Sequence, residues 1–167
     1  VRGAFNTKSA PKWFQDETNG HLYYHAIYNL EKEDLGKDPE WRDFQKKRAG
    51  ILTHPAWLLA FSDNTKNHAI QRGRWIQTKL LGGVIADSPV EVDARFPVDP
   101  ALTLRDKMLV VRKEECWRCH QRMDPLGLPF EQYNLWGMHR TTELDRPVDT
   151  TGELNGEAVG DPIEMLH

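Results

Sequence analysis

The chain contains only two cysteines, three residues apart, with a histidine directly after the second: Cys116-Trp117-Arg118-Cys119-His120. On a helical turn, side chains at i and i+3 project from one face. Both thiols can then reach the two vinyl carbons on one edge of a porphyrin, and the adjacent imidazole falls beneath the ring in an axial position of the iron. The spacing therefore predicts one covalent haem c, attached through Cys116 and Cys119 with His120 as proximal iron ligand. Two other chemistries draw on the same residues. A structural zinc site would need two more ligands, for which His139 and His167 are available only at an unusual separation. A redox dithiol would sit at a strand-to-helix junction in a βαβ setting, whereas here a helical pattern leads in and no strand alternation surrounds the pair.

Residues flanking the motif bear on the same chemistry. A backbone carbonyl in the loop at Pro125 could accept a hydrogen bond from His120 Nδ1 and fix the ring; alternatively Pro125 and Gly127 only make a turn. Met123, three residues beyond His120, begins on the same side of the ring and reads as core in contact with the haem. Trp117 could cover a haem edge, face a partner or pack in the ordinary way. For the opposite axial position the candidates are His54, between Thr53 and Pro55 at the start of an apolar helix, and Met138, in the loop Trp136-Gly137-Met138-His139. An open or water-bound position is the third possibility, and then His54, His68 or Arg72 would supply the polar group above the iron. An open site permits chemistry at the iron, and a closed one favours electron transfer.

Several elements must position these groups. Thr53 reads as an N-cap, with Pro55 in the first turn of a helix running to about Ser62. A second helix is expected over 68–81, with Ile70, Ile76, Leu80 and Leu81 as its buried stripe and Gly82-Gly83 as its stop. Residues 84–102, with Pro89, Pro97 and Pro100, should run extended. Thr103 reads as the N-cap of a third helix whose apolar residues Leu104, Met108 and Val111 lead directly to Cys116. A tight loop, Asp124-Pro125-Leu126-Gly127-Leu128, follows the motif, and Pro129 opens further helical turns carrying Phe130 and Tyr133. Asn155-Gly156 marks a small hairpin over 148–159. Before Ile51, aromatic and charged residues alternate without a clean period. A turn is expected at Gly36 to Glu40 and a short charged helix over 41–49. The fold class is therefore mainly α: a cytochrome c-like helical haem domain with long irregular connections and a small C-terminal hairpin. Its expected divisions are an irregular N-terminal extension over 1–49, the haem domain over 50–146, and a C-terminal hairpin over 147–167 that could open a following domain.

The 22 Lys and Arg stand against 25 Asp and Glu with no basic block, a balance that argues against nucleic acid as a partner. The longest apolar run, Ala56 to Phe61, is far short of the roughly 20 residues that cross a bilayer, so the visible chain is expected to hold no transmembrane segment. Covalent haem attachment takes place outside the cytoplasm, and the chain opens Val1-Arg2-Gly3-Ala4 without an export signal. It therefore reads as a processed or excised piece of a periplasmic or extracellular protein.

The run Gly50-Ile51-Leu52-Thr53-His54-Pro55, then Gln71-Arg72-Gly73-Arg74-Trp75-Ile76 with Leu80-Leu81, resembles the planctomycete-type cytochrome c domain family. Its continuation does too: Thr103-Leu104-Arg105-Asp106-Lys107-Met108, the Cys116 to His120 motif, and Met123-Asp124-Pro125-Leu126-Gly127-Leu128-Pro129-Phe130-Glu131. That family is one of largely unknown function, found as a module in large exported bacterial proteins, and the resemblance covers roughly 50–145. It implies haem attachment at Cys116 and Cys119 with His120 as proximal ligand. His54 fits the family's Thr-His-Pro variant, and residues 147–167 resemble the start of the domain that usually follows. The function expected is electron transfer to or from a redox partner protein or attached domain, rather than enzymatic turnover. The alternatives are a haem enzyme or gas or redox sensor with an open distal site, and a structural haem module of a larger surface protein.

Overall fold

The computed structural model describes residues 2–5, 40–43, 47–63, 65–86 and 96–167. Most of the aromatic N-terminal stretch, most of the turn expected over 36–40 and the middle of the proline-rich connection lie outside the described residues. Strands β1 (Arg2–Phe5) and β2 (Glu40–Asp43) pair antiparallel, with Arg2 opposite Asp43. The charged helix expected over 41–49 therefore gives way at its start to a strand, because a segment distant in sequence supplies the backbone partners. At its end Arg48 is buried, its guanidinium donating to the carbonyls of Thr53 at 2.6 Å and Gly137 at 2.7 Å.

After a 3-10 turn (Ile51–Thr53), α1 (Pro55–Ala60) begins with proline in its first turn. Its cap is His54, not Thr53: the Ala56 amide donates to His54 Nδ1 at 3.2 Å. The Thr53 hydroxyl is turned instead to the Ala49 backbone, accepting from its amide and donating to its carbonyl. Helix α2 (Ala69–Trp75) continues as a π turn (Ile76–Leu80), and Gly82 follows at φ 68° as the helix stop. The buried face of this helix differs from the expected stripe. Ala69, Arg72, Gly73 and Ile76 are buried, while Leu80 and Leu81 are exposed. The face is set by closeness of approach rather than by apolar content, since Gly73 lies directly against backbone of the segment that follows the cysteine motif.

Helix α3 (Leu104–Met108) opens with the expected cap, and the cap is reciprocal: Thr103 Oγ accepts from the Asp106 amide while Asp106 accepts from the Thr103 amide. The single helix expected from Thr103 to Cys116 is divided. A 3-10 turn (Leu109–Arg112) follows α3, Lys113 is extended, and a separate α4 (Glu114–His120) carries the cysteines. The expected loop at 124–128 is helical: α5 (Asp124–Gly127) runs into a 3-10 turn (Leu128–Gln132). Each proline there falls in a first turn, where its missing N–H leaves no helical bond unmade.

Two hairpins close the chain. Strands β3 (Thr142–Glu143) and β4 (Arg146–Pro147) are joined by Leu144 and Asp145 at φ 51° and 58°, and β5 (Gly152–Leu154) and β6 (Glu157–Val159) by Asn155 and Gly156 at φ 54° and 87°. Positive φ at both central residues is the turn that matches strand twist. Asn-Gly announces it; Leu-Asp does not, which is why only the second hairpin was expected. A last turn, α6 (Pro162–Met165), is capped by Asp161. The described fold is thus mixed, short helices with small strand pairs, rather than the mainly α arrangement expected. Among the described residues no helix is long and apolar enough to cross a membrane.

Two apolar clusters organise the interior. The first joins Leu52, Trp57 and Leu58 to Ile76, Phe130 and Tyr133, and Val159 and Met165 of the C-terminal segment pack into it. Trp57 meets Phe130 edge-on at 5.3 Å, a pairing that contributes about 0.5–1.5 kcal/mol beyond area burial. The second comprises Ala69, Met108, Val111 and Leu128, with Cys116 packed against it. Arg72, 0% exposed, donates to the carbonyls of Leu58 and Phe130 and faces Glu131 at 3.6 Å. Glu131 also accepts from Arg140 at 2.9 Å and Asn67 at 3.0 Å. Burial pulls the Arg72 guanidinium down and Glu131 opposes that shift.

Candidate functional site

Cys116, Trp117, Cys119 and His120 lie on α4, with Met123 and Pro125 just behind it. Cys116 and Cys119 are free thiols, both half-buried, one helical turn apart. Cys116 packs against the second cluster, as do Phe96, Leu104 and Val110. His120, the last residue of α4, has a side chain 16% exposed, and its Nδ1 lies 2.9 Å from Oδ1 of Asp124, whose carboxylate is 2% exposed. The ring-orienting group expected at Pro125 is thus one residue earlier and is a side chain. The Pro125 carbonyl is turned to β5, where it lies within contact distance of the position a Cβ on Gly152 would take.

The backbone on either side of Asp124 is fixed by a close helix crossing. A Cβ on Gly73 would lie 2.7 Å from the Met123 carbonyl carbon and 3.1 Å from the Gly127 nitrogen, and one on Gly127 would lie 2.8 Å from both the Ala69 carbonyl carbon and the Gly73 nitrogen. Only glycine at both positions lets α2 and α5 meet backbone to backbone. Met123 is buried at this crossing, and its carbonyl accepts from the Leu126 and Gly127 amides. Asp124 therefore begins α5 from a fixed point.

Trp117 is half-buried under Arg112, whose guanidinium carbon sits 4.5 Å from the ring centroid. His54 is exposed and caps α1. Met138 is half-buried in a turn whose amide and carbonyl are both bonded to Asn134, and the neighbouring Gly137 packs on Pro55 and Leu58. Both distal candidates thus belong to the side of the first cluster, and neither is among the residues of the cluster that holds Cys116. Arg72 is enclosed by its own polar network, and His68 pairs with Asp63 at 3.1 Å. His139, one of the two histidines that a rival zinc site would have to draw on, stacks edge-on to Tyr133 at 5.9 Å. Burial, then the positive charges of Lys47 and Arg48, lower its pKa. Among the described residues no group of three or more His, Cys, Asp or Glu side chains is placed to hold a metal ion.

Asp124 was missed in the sequence. The available signal was its spacing: four residues after His120, one turn on if the helical path continues, where a carboxylate can reach the imidazole.

Fold and site together define a small helix-and-hairpin domain that presents a Cys-x-x-Cys-His helix against an apolar cluster of its own. The chain belongs to the PSCyt3 family, described as a protein of unknown function (DUF1588), whose family model matches residues 48–143. The match opens at buried Arg48, closes in β3 and contains every residue of the α4 site. No curated protein and no solved structure matches the chain.

Proposed function

We propose that this chain is a c-type cytochrome domain that carries one covalent haem c and transfers electrons outside the cytoplasm. Cys116 and Cys119 form the thioether bonds, and His120 is the proximal ligand. The observation that carries this reading is the pairing of two free thiols on one helical turn with a histidine whose Nδ1 is already engaged. That leaves Nε2 as the ring nitrogen available to iron, the arrangement in which metal-binding imidazoles are usually held. The apolar cluster against which Cys116 packs suits a porphyrin face, and the PSCyt3 name points the same way. When bound, the haem would supply a one-electron couple; the chain's own residues attach it, orient its ligand and exclude water from one side. Met123, buried beside Asp124, and Trp117, within the motif, would border it. The haem domain is assigned to residues 50–146, with Arg48 just before it bonded into its interior and Val159 and Met165 after it packed into its first cluster. The electron donor or acceptor is a redox partner protein or an attached domain.

The test is expression in a host that attaches haem c, followed by acid-acetone extraction and a pyridine haemochrome spectrum. Haem that stays with the protein and gives a c-type haemochrome is expected, and Cys119→Ala should sharply reduce its retention under denaturing conditions. Absence of haem from a maturation-competent host, or full retention in that variant, would overturn the proposal. The oxidised spectrum then reports the distal side. A methionine–iron charge-transfer band points to Met138, low-spin iron without it to His54, and high-spin iron with rapid cyanide binding to an open site.

A further inference from the structure

The geometry points to Asp124 as the positioning residue of the iron ligand: its buried carboxylate holds His120 through Nδ1 and lowers the reduction potential of the haem site. This rests on the covalent haem proposed above. Removing a carboxylate from water is expensive unless a partner compensates. Among the described residues His120 is the one ion-pair partner of Asp124, at 2.9 Å, and the carboxylate is 2% exposed. A carboxylate oxygen only accepts, so the shared proton sits on Nδ1 and the Nε2 lone pair is directed away from Asp124.

The neutral acceptor that could do the same job, the Pro125 carbonyl, is turned to β5. The imidazole is therefore held by a full negative charge instead of a carbonyl dipole, and the two differ in effect. A fixed negative charge behind the ligand stabilises the more positive, oxidised state of the site, and low-dielectric surroundings strengthen that preference. The crossing of α2 and α5 at Gly73 and Gly127 fixes the backbone on either side of Asp124, and the carboxylate it carries is buried against His120.

The test compares haem-loaded natural protein with Asp124→Asn, measuring haem content by pyridine haemochrome and potential by spectroelectrochemical titration. Asparagine keeps an oxygen to accept from Nδ1 and removes only the charge. Haem content should be unchanged, and at a fixed ambient potential the ferric-to-ferrous ratio should fall at least tenfold, a rise of about 59 mV for a one-electron couple. An unchanged or lowered potential in a fully loaded variant overturns the inference and leaves the haem assignment standing. Absence of covalent haem from the natural chain removes both. Asp124→Ala, which also loses the acceptor, should raise the potential as well and carries the test if the asparagine variant does not fold. If neither folds while the natural chain does, Asp124 is a folding residue only and the inference is overturned.

Discussion

Gly73→Ala places one methyl group where α2 and α5 meet, and the sign of its effect depends on that contact. In an open helix the change should stabilise by about 1 kcal/mol, because alanine is the better helix former. Here the new Cβ would lie 2.7 Å from the Met123 carbonyl carbon and 3.1 Å from the Gly127 nitrogen. Carbon atoms rest at about 3.5–4.0 Å and the Met123 carbonyl oxygen is nearer still, so the helices would have to part by more than about 1 Å. Both obstacles are main chain and cannot rotate away. The cost therefore falls at the upper end of the usual overpacking range, about 3 kcal/mol, and the net loss is about 2 kcal/mol. For a chain of this size that lowers Tm by roughly 4–8 °C. Trp57 and Trp75, packed in the first cluster, report the transition by fluorescence in a urea titration. Gln71→Ala, at an exposed position of the same helix, is the control and should change little. A Gly73→Ala protein as stable as the natural one, or more so, would refute the close crossing. Adding Gly127→Ala should cost less than it does alone, since helices already parted accept the second methyl.

Three further outcomes follow from other parts of the molecule. Glu131→Gln leaves the fully buried Arg72 without its counter-charge and should cost about 3–5 kcal/mol by urea unfolding, whereas Arg146→Ala, which breaks an exposed pair with Asp106, should cost about 1 kcal/mol or less; comparable losses in the two would contradict the network. Leu144→Asn relieves a left-handed residue that is exposed and makes no use of its side chain in the first cluster, so it should stabilise by about 1 kcal/mol, and a lowered thermal midpoint would count against strain in that turn. His139 has its pKa depressed by burial and by Lys47 and Arg48, so the unfolded chain takes up its proton first as pH falls. Stability should accordingly drop as pH falls below about 6.5, and His139→Asn should flatten that limb; an unchanged limb would exclude His139 as its source.

The placement of Cys116, Cys119 and His120 together on α4 was legible because it needs only local spacing. Two thiols and an imidazole within one helical turn have the same relation in any fold that keeps the turn helical. The cap at Thr103, the stop at Gly82 and the turn at Asn155-Gly156 were legible for the same reason, each being a contact among residues a few positions apart. What depended on distant partners was not. The buried face of α2 turns on Gly73 meeting Gly127, and a glycine contributes nothing to an apolar stripe. The burial of Arg72 depends on Glu131, nearly sixty positions away, and β2 on a strand near the first residue. The group behind His120 lies between these cases. Four residues put Asp124 within reach, but reach alone did not choose it over the Pro125 carbonyl. That choice was made when α5 formed helix instead of loop and the crossing with α2 fixed where it begins, because a carboxylate can be kept out of water beside an imidazole only if the backbone carrying it has nowhere else to go.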